Sequence, residues 1–525
     1  MRIPLRTALA AVVLICVPAK AQLFGTNSGT PVDYIRSYMT DSVNVRDPGQ
    51  VGAGYNPNPS ASTGSPNVTL IGPTGFYSGA ANYENASGYR ITFNAPNPGA
   101  VNVAVGGMFS GLSNVQISGN TYSATFSIFH DGGNLLAGGG EIDLTGGLSA
   151  SNPVTNFKVV RPGGNASAVT PLFASYASEY QGIRWMNSSN VNNQTKDLTA
   201  ADLLPPGQNI GTFGTSYADQ ARMTGQIPND GLLWTNVPAG ADASFVRGMA
   251  DQIAANLPAG KRVRFEYANE PWNFAFSHVG KIYSLAQADP RVPSADTFTM
   301  VARETGLRTA DLFSVFLNQW VADGRNPADA EGFLNSQGAN SYFANTAVDA
   351  VRGVYGSGLG GIKSRGISFY PGDNLSGASS VDQLVAALYA DLPRQEGYLR
   401  GEVAAAAAEG LTPGIYEWSP EGGYLTLGGV PQNVVDAFRA DPRSKQWVLD
   451  EWNAIHAILG PVPNSFAMEF TVDGTGWDPQ IDPRGPHELA QQAIDQISGQ
   501  VLAPEPSSLA MLALALPLLC RRYLR

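Results

Sequence analysis

Cysteine is almost missing from this chain of 525 residues: Cys16 and Cys520 are the only two, and both fall in end segments that read as removable. What remains has no disulfide framework and no thiolate metal site. Histidine is nearly as scarce, and His130, His278, His456 and His487 are scattered without metal-ligand spacing. Charged residues make up 14% of the chain and the net charge is -11. Six of the basic residues (Arg2, Arg6, Lys20, Arg521, Arg522 and Arg525) sit in the end segments, so the remainder is more acidic still. That argues against nucleic acid or an anionic membrane surface as partner. Long apolar runs are lacking as well. Ala8–Val17 and Leu509–Cys520 are both short of the ~20 residues of a spanning helix.

The two ends carry export signals. Arg2 and Arg6, the apolar run Ala8–Val17 and the small-x-small site Ala19-Lys20-Ala21 read as a signal peptide over residues 1–21, with Gln22 as the mature start. At the far end, Pro504-Glu505-Pro506 precedes the apolar run Leu509–Cys520 and then Arg521-Arg522. A short apolar run with a basic end halts translocation, because arginines stay cytoplasmic. This order resembles the PEP-CTERM sorting signal of Gram-negative bacteria, over residues 501–525. The resemblance implies an exosortase-type processing peptidase as partner and transient anchoring in the inner membrane through the tail alone. The destination it implies is the cell surface or the extracellular space, often among exopolysaccharide. A plain C-terminal anchor is the alternative.

Between the ends the texture changes once. Residues 65–162 hold short β-branched or aromatic runs separated by Gly, Asn and Pro turns: Gly75–Gly79, Tyr89–Phe93, Val101–Val105, Tyr122–Phe129 and Phe157–Val160. These predict a β-sandwich. Over 163–500 short apolar strands alternate with helical stretches. The expected strands are Gly182–Asn187, Leu232–Val237, Arg262–Asn269, Val351–Tyr355, Ile367–Tyr370, Gly414–Glu417 and Trp447–Glu451, with Phe24–Asn27 in 22–64 as the eighth. Helices are expected at Asp242–Ala255, Ala310–Ala322, Val381–Ala390 and Val434–Ala440. The fold class is α/β: a (β/α)8 TIM barrel with an all-β sandwich inserted after its first strand. An open doubly wound sheet would want a Gly-rich phosphate turn, and Gly106–Gly111 lies in the β region as a turn.

Barrel chemistry gathers where strands end at the C-terminal face. Arg262–Asn269 runs into Glu270-Pro271-Trp272-Asn273 as the fourth strand, and Gly414–Trp418 is the seventh. Carboxylates at those two ends face each other across the mouth. Glycoside hydrolysis with retention needs such a pair about 5–5.5 Å apart. Asn269-Glu270-Pro271 at a fourth-strand end resembles the acid/base motif of clan A glycoside hydrolases. Tyr267–Phe274 also resembles the E-Y-S-N-E-x-W-N strand end of large secreted bacterial proteins. Arg184-Trp185-Met186 and Trp234–Pro238 match further elements of that set, and Tyr416-Glu417 matches in part. There the chain departs, continuing Trp418-Ser-Pro-Glu421-Gly-Gly-Tyr424. The resemblance spans about Phe24 to Asn453.

On this reading Glu270 donates the proton, Glu417 attacks the anomeric carbon and Asn269 bonds the sugar 2-hydroxyl. Tyr370 orients Glu417, and Arg184 keeps a carboxylate ionised. Trp185, Trp234, Trp272, Trp418 and Trp452 offer flat faces to sugar rings. Alternatives stay open. Glu270 can be a structural carboxylate, and Glu421, Asp450 or Glu451 can replace Glu417. Arg184 can be the ion-pair partner of Glu266, any one tryptophan can be core, and His278 and His456 read as loop histidines. The expected function is retaining hydrolysis of a β-linked polysaccharide, a mechanism that needs no cofactor or metal. The rivals are a non-catalytic carbohydrate-binding or matrix surface protein, and an adhesive sandwich on a barrel scaffold; fold alone does not choose.

Overall fold

Two hydrophobic periods divide the chain, alternate-residue in the first third and strand–helix thereafter, and each builds its own layer structure. The computed structural model describes residues 23–27, 67–71, 86–160 except 108, 129–139 and 150, most of 162–206, 215–418 except 229, 373, 374 and 376, 429–470 and 488–501. The expected signal peptide, the C-terminal Pro-Glu-Pro tail, Gly75–Gly79 and Glu421 lie outside the described residues.

Strand β1 (Leu23–Asn27) comes first, and seven antiparallel strands follow it. β2 (Asn67–Ile71), β7 (Gly140–Thr145) and β4 (Asn102–Gly107) form one sheet. β5 (Phe109–Ser118), β6 (Thr121–Ile128), β3 (Ala86–Asn94) and β8 (Thr155–Val160) form the other. Inward residues of β3 and β6 alternate with polar ones, and Ile91, Phe93, Tyr122 and Phe126 meet Ile142 and Leu144 of the facing sheet. Gly106 and Gly107 end β4 and Phe109–Gly111 open β5, so most of the expected Gly-rich turn is strand.

The remaining strands are parallel: β9 (Gly182–Arg184), β10 (Leu232–Val237), β11 (Arg262–Tyr267), β12 (Ala330–Asn335), β13 (Ile362–Phe369), β14 (Thr412–Trp418) and β15 (Phe466–Phe470). They pair in chain order, and β1 pairs with both β15 and β9 to close the ring. Helices α1 (Tyr217–Thr224), α2 (Ala243–Asn256), α3 (His278–Ala288), α4 (Thr297–Ala322), α5 (Tyr342–Tyr355), α6 (Val381–Glu409), α7 (Gln432–Arg439), α8 (Pro442–Leu459) and α9 (Leu489–Val501) occupy the connections. Outward Phe265 of β11 packs on Phe313 and Phe316 of α4. The barrel interior is filled. Trp234 meets Phe333 at 4.5 Å and Phe466 at 5.2 Å, ring centre to ring centre. A Cβ on Gly414 would lie 2.4 Å from the Phe466 ring, so only glycine fits opposite it.

Two expected strands are corrected. Val351–Tyr355 is the last turn of α5, where Phe343, Ala344, Ala347, Val348 and Val351 are buried at helical spacing. Trp447–Glu451 lies inside α8, started by Asp441, whose side chain accepts from Arg443 N, and by Pro442. Short apolar runs fit either state, and the flanking signals decide. The actual fifth and eighth strands, β12 and β15, include Glu331 and Glu469, which hid them.

Candidate active site

Strands β9, β11 and β14 end together at the mouth. Arg184 closes β9 and is 0% exposed. Its Nε and one terminal nitrogen bind the two oxygens of Glu266 at 2.7 and 2.6 Å. The other terminal nitrogen donates to Glu417 at 2.9 Å. Glu266 accepts further from Trp234 Nε1 at 2.7 Å and Asn335 Nδ2 at 2.8 Å. Burial opposes the charge on Arg184, and the carboxylates of Glu266 and Glu417 outweigh it. The guanidinium also lies over the Tyr416 ring, 5.0 Å from its centre.

Strict alternation on β14 would turn Glu417 outward, because Gly414 and Tyr416 face in. The register prevents it. Ile367 pairs with Ile415, yet Ser368 pairs with Glu417. On the other edge, Ile415 pairs with Ala467 and Trp418 with Glu469. One extra residue is thus accommodated in β14, a β-bulge that turns Tyr416 and Glu417 toward the same space. Tyr370, just past β13, donates to Glu417 Oε2 at 2.6 Å. Tyr416 donates to Glu270 Oε1 at 2.9 Å. Burial raises the Glu417 carboxyl to about 7; the charge of Glu270 adds to this, while Arg184 and Tyr370 oppose it. Burial and the charges of both carboxylates push Tyr370 and Tyr416 well above the ordinary phenol value, so both remain donors.

The end of β11 uses a different device. Ala268 and Glu270 have φ of 57° and 41°, in the left-handed region where a Cβ is strained. Each such residue costs of order 1–3 kcal/mol and persists only where its surroundings hold it. Glu270 is held by Tyr416 and by Asn273 Nδ2 at 3.0 Å. Between the strained residues, Asn269 accepts from Arg184 at 2.8 Å and donates to Asn192 Oδ1 at 3.0 Å. The backbone oxygen of Asn192 in turn lies 2.9 Å from His278 Nδ1.

The mouth therefore unites Arg184, Asn269, Glu270, Tyr370 and Glu417. Arg184 is the ion-pair partner of Glu266 and has no exposed surface to offer a ligand. The tryptophans are corrected too, because large rings bury more readily than they stay in water. Trp185 is fully buried with Nε1 on Thr224. Trp234 lies in the barrel centre. Trp272 packs on Phe343 and Tyr416. Trp418 stacks on Trp452 in the core outside the wall. Asp450 and Glu451 lie on α8, so neither ends a strand. Asp450 accepts from Tyr389 at 2.6 Å. Glu451 is fully buried, and burial holds its carboxyl well above the ordinary value, with the Trp418 side chain opposing this. His278 is a buried residue opening α3 and His456 stacks on Trp452 within α8, so neither is a loop histidine. Tyr416, Asn335, Asn192 and Asn273 were missed. Inward parity on a recognised fifth strand would have found Asn335. Among the described residues no group of three or more His, Cys, Asp or Glu could hold a metal ion.

No family model matches the chain, and no curated protein matches it. Similar solved structures include a 4-O-α-L-rhamnosyl-β-D-glucuronidase from Fusarium oxysporum 12S, at 10% identity and TM-score 0.35, covering 62% of this chain and 63% of that one. The CBM22-1–GH10 modules of Clostridium thermocellum endo-1,4-β-D-xylanase 10B, complexed with xylohexaose, are similar at 11% identity and TM-score 0.36, covering 90% and 97%. A GH5-4 broad-specificity endoglucanase from Clostridium acetobutylicum is similar at 11% identity and TM-score 0.33, covering 64% and 90%.

Proposed function

We propose that this chain is a retaining glycoside hydrolase acting on a β-linked polysaccharide. The observation that carries the reading is the pair Glu270 and Glu417. They stand at the ends of the fourth and seventh barrel strands, each takes a tyrosine hydroxyl, and the charge of one is felt by the other. Glu417 is the nucleophile, since Arg184 and Tyr370 occupy its two oxygens in a fixed orientation. Its carboxylate forms a bond to the anomeric carbon as the glycosidic bond breaks. The leaving oxygen takes both bonding electrons and the proton of Glu270. Glu270 then deprotonates a water, which displaces Glu417 and frees the sugar. The second N–H of Asn269 is the group for the 2-hydroxyl. No metal or organic cofactor enters this mechanism.

Residues 1–21 as a cleaved signal and 501–525 as a PEP-CTERM tail would put the substrate outside the cell, at the surface. A carbohydrate binder without turnover draws support from the 4% exposure of Glu417. Reducing-end release by the purified chain, measured on β-glucans, mannans, xylans and exopolysaccharides beside Glu270→Gln, separates the two. Hydrolysis predicts release that falls about 10²–10⁴-fold in the variant. No release on any glycan, with equal binding by both proteins, sinks the hydrolase in favour of the binder.

A further inference from the structure

Few large apolar side chains stand in water among the described residues, and two of them follow barrel-strand ends at the mouth. Phe274, four residues past Glu270, is 54% exposed, and Tyr342, which opens α5 after the fifth barrel strand, is 51% exposed. Tyr342 is not loose. It stacks on Phe298 at 6.2 Å, 21° from parallel, and its hydroxyl lies 2.9 Å from Thr299 Oγ1. Phe298 meets Phe343 at 5.4 Å, Phe343 meets Trp272 at 5.4 Å, and Trp272 meets Tyr416 at 6.2 Å. The Tyr416 hydroxyl sits on Glu270. A continuous line of rings thus runs from the exposed Tyr342 face to the carboxylate.

The surroundings specify the ligand further. Half-buried Gln337 and exposed Asn340, just before Tyr342, bring amides that bond each other at 3.0 Å. Neither Pro271–Ser277 nor Gly332–Val348 contains a charged residue. An aromatic face fixed in water and flanked by amides, with the Asp296 carboxylate one hydroxyl away on Thr299 Oγ1 at 2.7 Å, fits the C–H face and hydroxyls of a neutral sugar better than an acidic glycan or a protein.

We propose that Tyr342, together with Phe274, forms a subsite for a neutral glycan on the Glu270 side of the mouth, taking the leaving portion of the polysaccharide. That the portion held is the leaving one rests on the hydrolase reading, because Glu270 protonates the leaving oxygen and the chain continues past it. Binding of a neutral glycan does not rest on that reading.

The test uses the full chain carrying Tyr342→Ala, Phe274→Ala or Tyr342→Phe. In a Glu270→Gln background, migration is measured in native gels containing mixed-linkage β-glucan, glucomannan, xylan or alginate. Retardation by a neutral polymer should weaken about tenfold in each alanine variant, the effect of one lost ring contact, and persist in Tyr342→Phe. With Glu270 intact, kcat/KM on the polymer should fall about tenfold more than on a 4-nitrophenyl glycoside, whose leaving group is too short to reach the platform. Equal retardation of parent and alanine variants, or stronger retention by alginate than by the neutral polymers, overturns the subsite. A parent that hydrolyses nothing but loses retardation on Tyr342→Ala overturns the hydrolase and keeps the subsite. Hydrolysis that is indifferent to both alanine variants does the reverse.

Discussion

Arg184 and Arg365 lie on opposite sides of the barrel wall, both buried and both bound to two carboxylates. Arg365 of β13 points outward, where it takes Glu402 of α6 at 2.6 and 3.0 Å and Glu409 at 2.5 Å, with Asn345 and Ser336 completing the shell. Every partner there is a wall or helix residue, and the network joins strand to helix. Arg184 takes Glu266 in the same forked manner, but its second carboxylate, Glu417, goes on to Tyr370 and lies in the field of Glu270. A buried arginine with acidic partners is therefore not by itself the mark of a site. The mark is a pair of carboxylates at strand ends, each held by a tyrosine hydroxyl, delivered by a bulge on one strand and by left-handed residues on the other.

Substitutions can break this contrast. Glu417→Gln leaves Arg184 a neutral partner and should lower polysaccharide hydrolysis by about 10³-fold or more, the scale for a catalytic group, read by reducing-end release. A loss below tenfold would remove Glu417 from the chemistry. Arg365→Met strands Glu402 and Glu409 and should cost about 3–5 kcal/mol in denaturant unfolding. Turnover per folded molecule should hold; a parallel loss of turnover would erase the distinction between the two arginines.

Smaller effects sharpen the contrast within the mouth. Tyr416→Phe removes the hydroxyl that donates to Glu270 Oε1, so turnover should fall about tenfold, the scale of one hydrogen bond to a catalytic carboxyl. Unchanged turnover would make Tyr416 mere packing. Glu270→Gln removes part of what raises Glu417 to about 7. On a glycoside with an activated leaving group, which needs no acid, the acidic limb should therefore shift to lower pH. The least effect belongs to Glu451. Its carboxyl keeps its proton in the folded chain well above the ordinary range, while the unfolded chain loses it near 4.3. Rising pH above that value therefore costs stability. Glu451→Gln abolishes this titration, so its gain in melting temperature over the parent should be larger at pH 8 than at pH 5. Equal gains by calorimetry would show that Glu451 is not held neutral.

Much of the mouth was legible because strand ends are written in local residues. Arg262–Asn269 alternates charged residues with Val263, Phe265 and Tyr267 and runs into Glu270, Gly414–Glu417 is a short apolar run that stops at its own carboxylate, and their rank around the barrel followed from counting. The count reached eight through two wrong strands and two missed ones, since charged Glu331 and Glu469 masked strands while valines and a tryptophan imitated them in helices. That the adjacent Tyr416 and Glu417 both face the mouth was illegible for another reason. A bulge is a property of register between strands, and no single strand records it. The five tryptophans show the limit of composition, for a ring suited to a sugar is equally suited to a core.

The ring of strands has a consequence for how this chain comes to be folded. β1 is seated between β9 and β15, pairing Leu23 with Phe466. The first segment made must wait for one of the last before the wall can shut, and contacts of such sequence separation form slowly. Until then the first strand has an unpaired edge, a hazard that falls during synthesis, when partly folded chains aggregate. Closure is also a checkpoint. A chain cut short before Phe466 keeps Glu270 and Glu417 in its sequence but lacks the strand that completes the wall around them.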